Sequence, residues 1–225
     1  MKHDNTTSQP ALEYDNNISK TIPYYNCFHD NICRWVKAIK ANPESWLDTG
    51  CGTGTLVEKI LSLFPKASII AADPSGSMLD ITREKLETHT NIELINLGTQ
   101  ELNCPDDSFD VISAVLAHHY FDVPSRLKAT ENCFRMLKKG GVYMTFESIL
   151  PTTEKAKDYG MLYWRDAQLE SGKSEEAVNK HIGRFGIEFF PISITNHLEL
   201  LHATGFSCVE LCWASGMQAG FYAIK

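Results

Sequence analysis

No stretch of this chain approaches the ~18–20 consecutive apolar residues that a membrane-spanning helix requires. The 43% of its 225 residues that are hydrophobic are therefore available for the core of one domain. Met1–Ser19 is polar and lacks the apolar centre of a secretion signal, so a cytoplasmic protein is expected. There is no Cys-x-x-Cys pair. The seven cysteines (27, 33, 51, 104, 133, 208 and 212) are an odd number, which fits reduced thiols in a core and argues against a disulfide framework. No metal is expected. Dense basic runs are also missing. Lys138-Lys139 is the longest, and the net charge is −7, which disfavours nucleic acid as a partner. The chain shows no internal repeat or low-complexity tract. It is compatible with a homodimer without requiring one.

Against these absences stands one dense motif, Trp46-Leu47-Asp48-Thr49-Gly50-Cys51-Gly52-Thr53-Gly54, with Asp73 following an apolar run. Ser45–Asp48 reads as the end of a strand. Gly50, Gly52 and Gly54 allow a tight turn and let a ligand lie against backbone with no Cβ in the way. Leu56, Val57, Ile60, Leu61 and Phe64 carry helical periodicity that Pro65 stops. Ala67–Ala72 reads as a strand covered on both faces. Asp73 then stands where a carboxylate can accept from both hydroxyls of a ribose. The glycines do not follow G-x-G-x-x-G. A carboxylate at Asp48 would repel a pyrophosphate and suits an ammonium or sulfonium ligand better.

On Asp48, the three glycines and Asp73, residues 44–147 resemble the class I S-adenosylmethionine-dependent methyltransferases. That resemblance implies an α/β, Rossmann-like fold. It would have a seven-stranded, mostly parallel sheet with a reversed last strand and helices on both faces. An N-terminal helical lid and a helical insert before the final helix would complete it. It also implies S-adenosyl-L-methionine as cofactor and a small-molecule acceptor as partner. Residues 1–13 are expected to be disordered, 14–41 to form a lid helix and 151–190 to form an acceptor-pocket insert, within one domain spanning 14–225.

The resemblance places the cofactor against Asp48, Gly50, Cys51, Gly52, Gly54, Asp73 and Pro74. Gly98-Thr99-Gln100 would meet the adenine edge and Met78 its face, and the backbone at Ala114 and Val115 would take the ammonium. Lys138-Lys139-Gly140-Gly141 matches the family's entry into the fifth strand, with a turn at the two glycines. Glu147 emerges from that strand as a candidate for acceptor orientation or proton removal, or as a structural cap or ion-pair partner. His118 and His119 follow the fourth strand, one as a packing residue and one as a candidate for the acceptor pocket. Tyr25 is a further catalytic candidate, and Asp110 reads as structural. Tyr14, Trp164, Arg165, His181 and Arg184 are the candidate acceptor-binding residues, and either arginine points to an anionic acceptor.

The run from Tyr14 to Tyr25 and the tail Phe221–Lys225 are similar to a subgroup that includes the carboxy-S-adenosylmethionine synthases of tRNA wobble-uridine modification. Arg184 is displaced from that subgroup's carboxylate-binding arginine and His181 stands nearer, which favours the ordinary donor. A non-catalytic binding module on the same fold is the third reading; the intact Asp48, glycines and Asp73 argue against it. Calorimetric titration checks the central expectation: S-adenosylmethionine binds in the micromolar range, and Asp73→Ala abolishes the binding.

Overall fold

Each strand of the central sheet divides its side chains between two helical layers, as a sheet buried on both faces must. Trp46, Val111, Val142, Met144 and Phe146 pack into one core; Leu47, Ile112, Ala114 and Tyr143 pack into the other. A computed structural model describes Asp4, Thr7 and residues 9–225. The strands are β1 (Ser45–Thr49), β2 (Ser68–Ala72), β3 (Ile92–Ile95), β4 (Phe109–Val115), β5 (Leu137–Ser148), β6 (Cys208–Ser215) and β7 (Gln218–Ile224). They form one seven-stranded sheet in the order β3-β2-β1-β4-β5-β7-β6. The first five strands are parallel, and β7 inserts antiparallel between β5 and β6. The expected sheet with a reversed last strand is what forms.

The helices are α1 (Ala11–Thr21), α2 (Tyr25–Ile39), α3 (Thr55–Leu63), α4 (Gly76–Lys85), α5 (Val123–Met136), α6 (Glu154–Glu170), α7 (Glu175–Ile182) and α8 (Ile194–Thr204). Residues from α2 and α3 fill the first core, while α5 and α8 contribute to the second. Side-chain caps start several of them where the sequence supplies a Ser, Thr or Asp. Ser75 Oγ accepts from the Met78 amide, Asp122 from Ser125, Thr153 from Ala156 and Ser193 from Asn196.

Three sequence expectations change. The lid expected as one helix over 14–41 is two, because Pro23 and a left-handed Tyr24 (φ 62°) turn the chain between α1 and α2. Disorder was expected for 1–13, but Ala11–Glu13 already belongs to α1. Of that segment, Met1–His3, Asn5, Thr6 and Ser8 lie outside the described residues. The turn expected at Gly140-Gly141 falls inside β5, which begins directly after α5.

Asp110 is the structural carboxylate the sequence implies. It accepts from the amides of Glu44 and Ser45 at 2.9 and 3.1 Å, and Lys40 and Lys138 reach it at 3.1 and 3.3 Å. Burial opposes its ionisation, but the Glu44 amide and the two lysines outweigh it and hold the carboxyl at about 2. That stabilisation is present above the ordinary value of 3.8 and is lost as pH falls through about 2. Asp110→Ala is expected to cost about 1–3 kcal/mol in urea denaturation at pH 7, by orphaning two amides at the start of β1.

Candidate active site

The carboxyl ends of β1, β2 and β4 converge on the glycine turn, where an open α/β sheet leaves a crevice. The amides of Gly50 and Cys51 donate to the Ala72 carbonyl at 2.7 and 3.0 Å, folding the turn back over β2. Gly50 has φ +70°, and a Cβ there would come within 2.4 Å of the Ala117 Cβ. At Gly52 (φ +56°) a Cβ would meet nothing within 4 Å, so bare backbone faces open space. Asp73 holds the turn from the other side: Oδ2 accepts from the Gly52 amide and Oδ1 from Ser75, each at 2.9 Å. Burial raises its pKa, with those two amides pulling the other way. Each oxygen keeps acceptor capacity for a hydroxyl.

Gly50, Gly52, Asp73, Pro74, Met78, Gly98, Thr99 and Val115 line a cleft of about 160 Å³. Glycine backbone, an acid at the ribose position and an apolar methionine fit an adenosine cofactor.

Other residues expected at the cofactor stand behind the wall. Asp48 is 2% exposed beneath the turn. The Trp46 indole N–H donates to Ser113 Oγ at 2.8 Å, and that hydroxyl donates to Asp48 at 2.5 Å. Burial pushes the Asp48 carboxyl up to about 7, with Ser113 opposing. Its interaction with a cation is therefore through the wall and not by contact. Cys51 is buried and its thiol is pushed well up by burial; a Cβ at Gly54 would meet Thr82; Ala114 is wholly in the core. The Gln100 side chain folds over Gly98, with its Oε1 buried and unpaired.

A second, smaller chamber of about 40 Å³ adjoins the cleft, and Thr7, Tyr14, Leu116 and Tyr120 line both. Its remaining wall includes His119, Ser148, Trp164, His181, Arg184 and Phe189. Trp164 is anchored by its indole N–H on the Thr21 carbonyl at 2.7 Å. His181 is 6% exposed, burial lowers its pKa to about 3, and its Nδ1 has no partner. Arg184 pairs with Glu188 at 2.7 Å and lies 5.6 Å from the centre of the Phe189 ring. Arg165, by contrast, faces outward, bonded to Glu175 at 3.0 Å, and belongs to neither cavity. Tyr25 lines neither; it packs edge-on against His29, ring centres 4.8 Å apart.

Glu147 and the two histidines are one construction. Glu147 is fully buried and accepts from the amides of His118 and His119 at 3.0 and 3.1 Å. The His119 ring bonds it through Nδ1 at 2.8 Å, and Thr145 Oγ1 donates at 3.1 Å. Burial opposes the charge, but the His119 hydrogen bond and the neighbouring histidines outweigh it and hold Glu147 at about 2. With its acceptor sites committed and no exposure, Glu147 cannot take a proton from an acceptor as expected. His118 is also withdrawn: its ring bonds Thr99 and Tyr143, each at 3.2 Å, and burial lowers it to about 4. His119 alone of the three lines the chamber. An ionised carboxylate only accepts, so Nδ1 carries the proton and a neutral ring offers Nε2 as acceptor.

Sequence reasoning missed Leu116, Ala117, Tyr120 and Phe121 on the cleft and Ser148 in the chamber, while Ile18, Thr21, Ile22 and Phe189 lie in the N-terminal and insert segments expected near the pocket without being singled out. The first four continue the His118–His119 loop, so adjacency was an available signal. Asp4 and Thr7 also reach the cleft and carried none. Among the described residues no cluster could hold a metal, and no helix is long and apolar enough to cross a membrane.

A family model for a methyltransferase domain matches residues 47–141. A carboxy-S-adenosyl-L-methionine synthase of Yersinia pseudotuberculosis is 28% identical over 89% of this chain and 85% of its own length. A ubiquinone/menaquinone biosynthesis C-methyltransferase of Vibrio parahaemolyticus is 34% identical over 48% of this chain and 42% of its own. The crystal structure of an S-adenosylmethionine-dependent methyltransferase from Aquifex aeolicus superposes with a TM-score of 0.64, covering 96% of this chain and 99% of that one at 17% identity; this likeness speaks to the fold.

The raised Asp48 carboxyl gives a pH test. Its contribution to stability is full below the ordinary value of 3.8 and is lost as pH rises through about 7. The loss amounts to about 4 kcal/mol above that pH. Asp48→Asn is expected to raise the thermal midpoint at pH 8 and to change it far less at pH 5. Calorimetry at the two pH values measures the difference.

Proposed function

We propose that this chain is a class I S-adenosylmethionine-dependent methyltransferase that methylates a small molecule held in the chamber beside the cofactor cleft. One observation carries the proposal: the two cavities share Tyr14, Leu116 and Tyr120, and the chamber holds the His119 ring, whose far nitrogen Glu147 fixes. When bound, the cofactor supplies an electrophilic methyl on a sulfonium, to be transferred by in-line displacement.

The cleft residues hold and orient. Asp73 takes the ribose, Gly52 gives close backbone approach, and Met78 with Pro74 flanks the base. Asp48, buried behind the turn, favours a ligand of positive charge. Since the leaving group is already good, orientation and exclusion of water carry much of the rate, and such effects are worth roughly 7–11 kcal/mol in favourable cases. Trp164, Phe189 and Leu116 keep the chamber apolar. His119 Nε2 removes the proton of an acceptor hydroxyl or ammonium, and Glu147 stabilises the imidazolium that results. Arg184 and the unpaired His181 Nδ1 meet the polar end of the acceptor, with an anion the favoured class. The net charge of −7 argues against nucleic acid as acceptor.

A second reading follows relatives that span most of the chain. By that guide Arg184 would serve a carboxylated donor; mass spectrometry of the ligand retained on purification separates the two. In a screen of small acceptors, His119→Ala is expected to lower kcat about 10²–10⁴-fold with S-adenosylhomocysteine affinity unchanged. Arg184→Gln should raise the acceptor KM, whereas Arg165→Ala should not. Retention of full kcat in the His119 variant would remove the proposed base.

A further inference from the structure

His118–Tyr120 form a single 3-10 turn closed by the Phe121 amide, and the remaining peptide groups of His118 and His119 find partners outside it. Both amides donate to Glu147. The His118 carbonyl accepts from the Phe121 amide at 3.1 Å and from Arg126 Nε at 3.3 Å. The His119 carbonyl accepts from the Phe190 amide at 2.6 Å. Arg126 Nη2 donates to the carbonyl of that same Phe190. One guanidinium thus bridges the loop carrying His119 and the segment that presents Arg184 and Phe189 to the chamber.

Arg126 is 4% exposed and, among the described residues, forms no ion pair; its hydrogen bonds go to backbone carbonyls. A buried cation without a paired carboxylate is costly, and an apolar side chain of similar volume would fill the space at less expense. What an apolar residue lacks is a planar fork that donates to two carbonyls on separate segments at once, and lysine lacks it too.

We propose that Arg126 is a positioning residue that joins the acceptor insert to the His119 loop, so that the ring is set against Glu147 when the Arg184–Phe190 segment is docked. The inference rests on the reading of His119 as the base. An acceptor that engages Arg184 or Phe189 steadies the same segment whose Phe190 amide holds the His119 carbonyl. Acceptor binding and orientation of the base become one event.

The test uses the full chain saturated with S-adenosylhomocysteine and needs no acceptor. In Arg126→Lys, residue-resolved hydrogen exchange is expected to speed at the amides of His118, His119 and Phe190 together, by about tenfold or more, while core amides of β1 and β2 stay within about threefold. The ¹⁵N signals of the His119 ring should pass from a single tautomer to a mixture, which a merely structural role would not produce. Uniform acceleration including the core, or no acceleration at the loop, overturns the proposal. Should the variant not fold, the unmodified protein decides: equal protection of the His118, His119 and Phe190 amides supports a shared latch, and protection differing more than about tenfold refutes it. Failure of S-adenosylhomocysteine to bind the unmodified chain would instead sink the donor reading, while the exchange pattern would still report on the latch.

Discussion

A carboxylate with no solvent contact must find its hydrogen-bond donors within the protein, and Glu147 finds four. Two are backbone amides, one is the His119 ring and one is the Thr145 hydroxyl. The arrangement depends on β5 carrying Glu147 past the end of its ladder with β4, opposite the loop that leaves β4. From that one group follow the direction of the His119 ring, the withdrawal of His118 into the core and the left-handed Leu116 (φ 52°) where the loop departs the strand. A left-handed conformation at a leucine costs of order 1–3 kcal/mol, and it persists only where surrounding contacts impose it. Here the Leu116 amide is tied to the Phe146 carbonyl at 2.7 Å, one residue before Glu147.

Part of the cleft wall, Gly50, Gly52, Asp73, Met78 and Thr99, was legible in the sequence because its constraints are local, whereas Asp48, Cys51, Gly54 and Ala114 stand behind it. Three glycines, an acid at a strand end and a capped helix are each set by neighbours a few residues away. Chamber residues come from α1, the β4 loop, the end of β5, α6, and α7 with the loop after it, and no spacing rule links them. Arg165 and Trp164 show the difficulty. Adjacent on α6, they lie about 100° apart around the helix, and Trp164 reaches the chamber while Arg165 reaches solvent. Knowing that the residue types suit an acceptor does not reveal which face of the helix is covered. Of the two roles open to Glu147, the ion-pair partner is the one the structure displays: its position at a strand end was readable, but the donors that exhaust it were not. The break at Tyr24 likewise needed the Trp213 ring, 6.4 Å away, to make a left-handed tyrosine intelligible.

A division of labour emerges along the chain. The segment matched to the methyltransferase domain, 47–141, supplies most of the cofactor cleft and the His119 loop. Most of the chamber comes from outside it: Tyr14 before, and Ser148, Trp164, His181, Arg184 and Phe189 after. The cleft is thus built mainly by one contiguous stretch, and the chamber mainly by additions at both ends. The α1 helix joins the halves. Its Asp15 reaches Lys85 of α4 at 2.7 Å, while the Thr21 carbonyl takes the Trp164 indole.

The burial of Asp48 has a consequence for the protein's life in a cell. Without a cation nearby, the acid is caught between protonation and an unsolvated charge near neutral pH, and the chain forfeits stability either way. A cationic cofactor relieves that conflict and binds the folded form alone, so occupancy lowers the unfolded fraction on which proteases act.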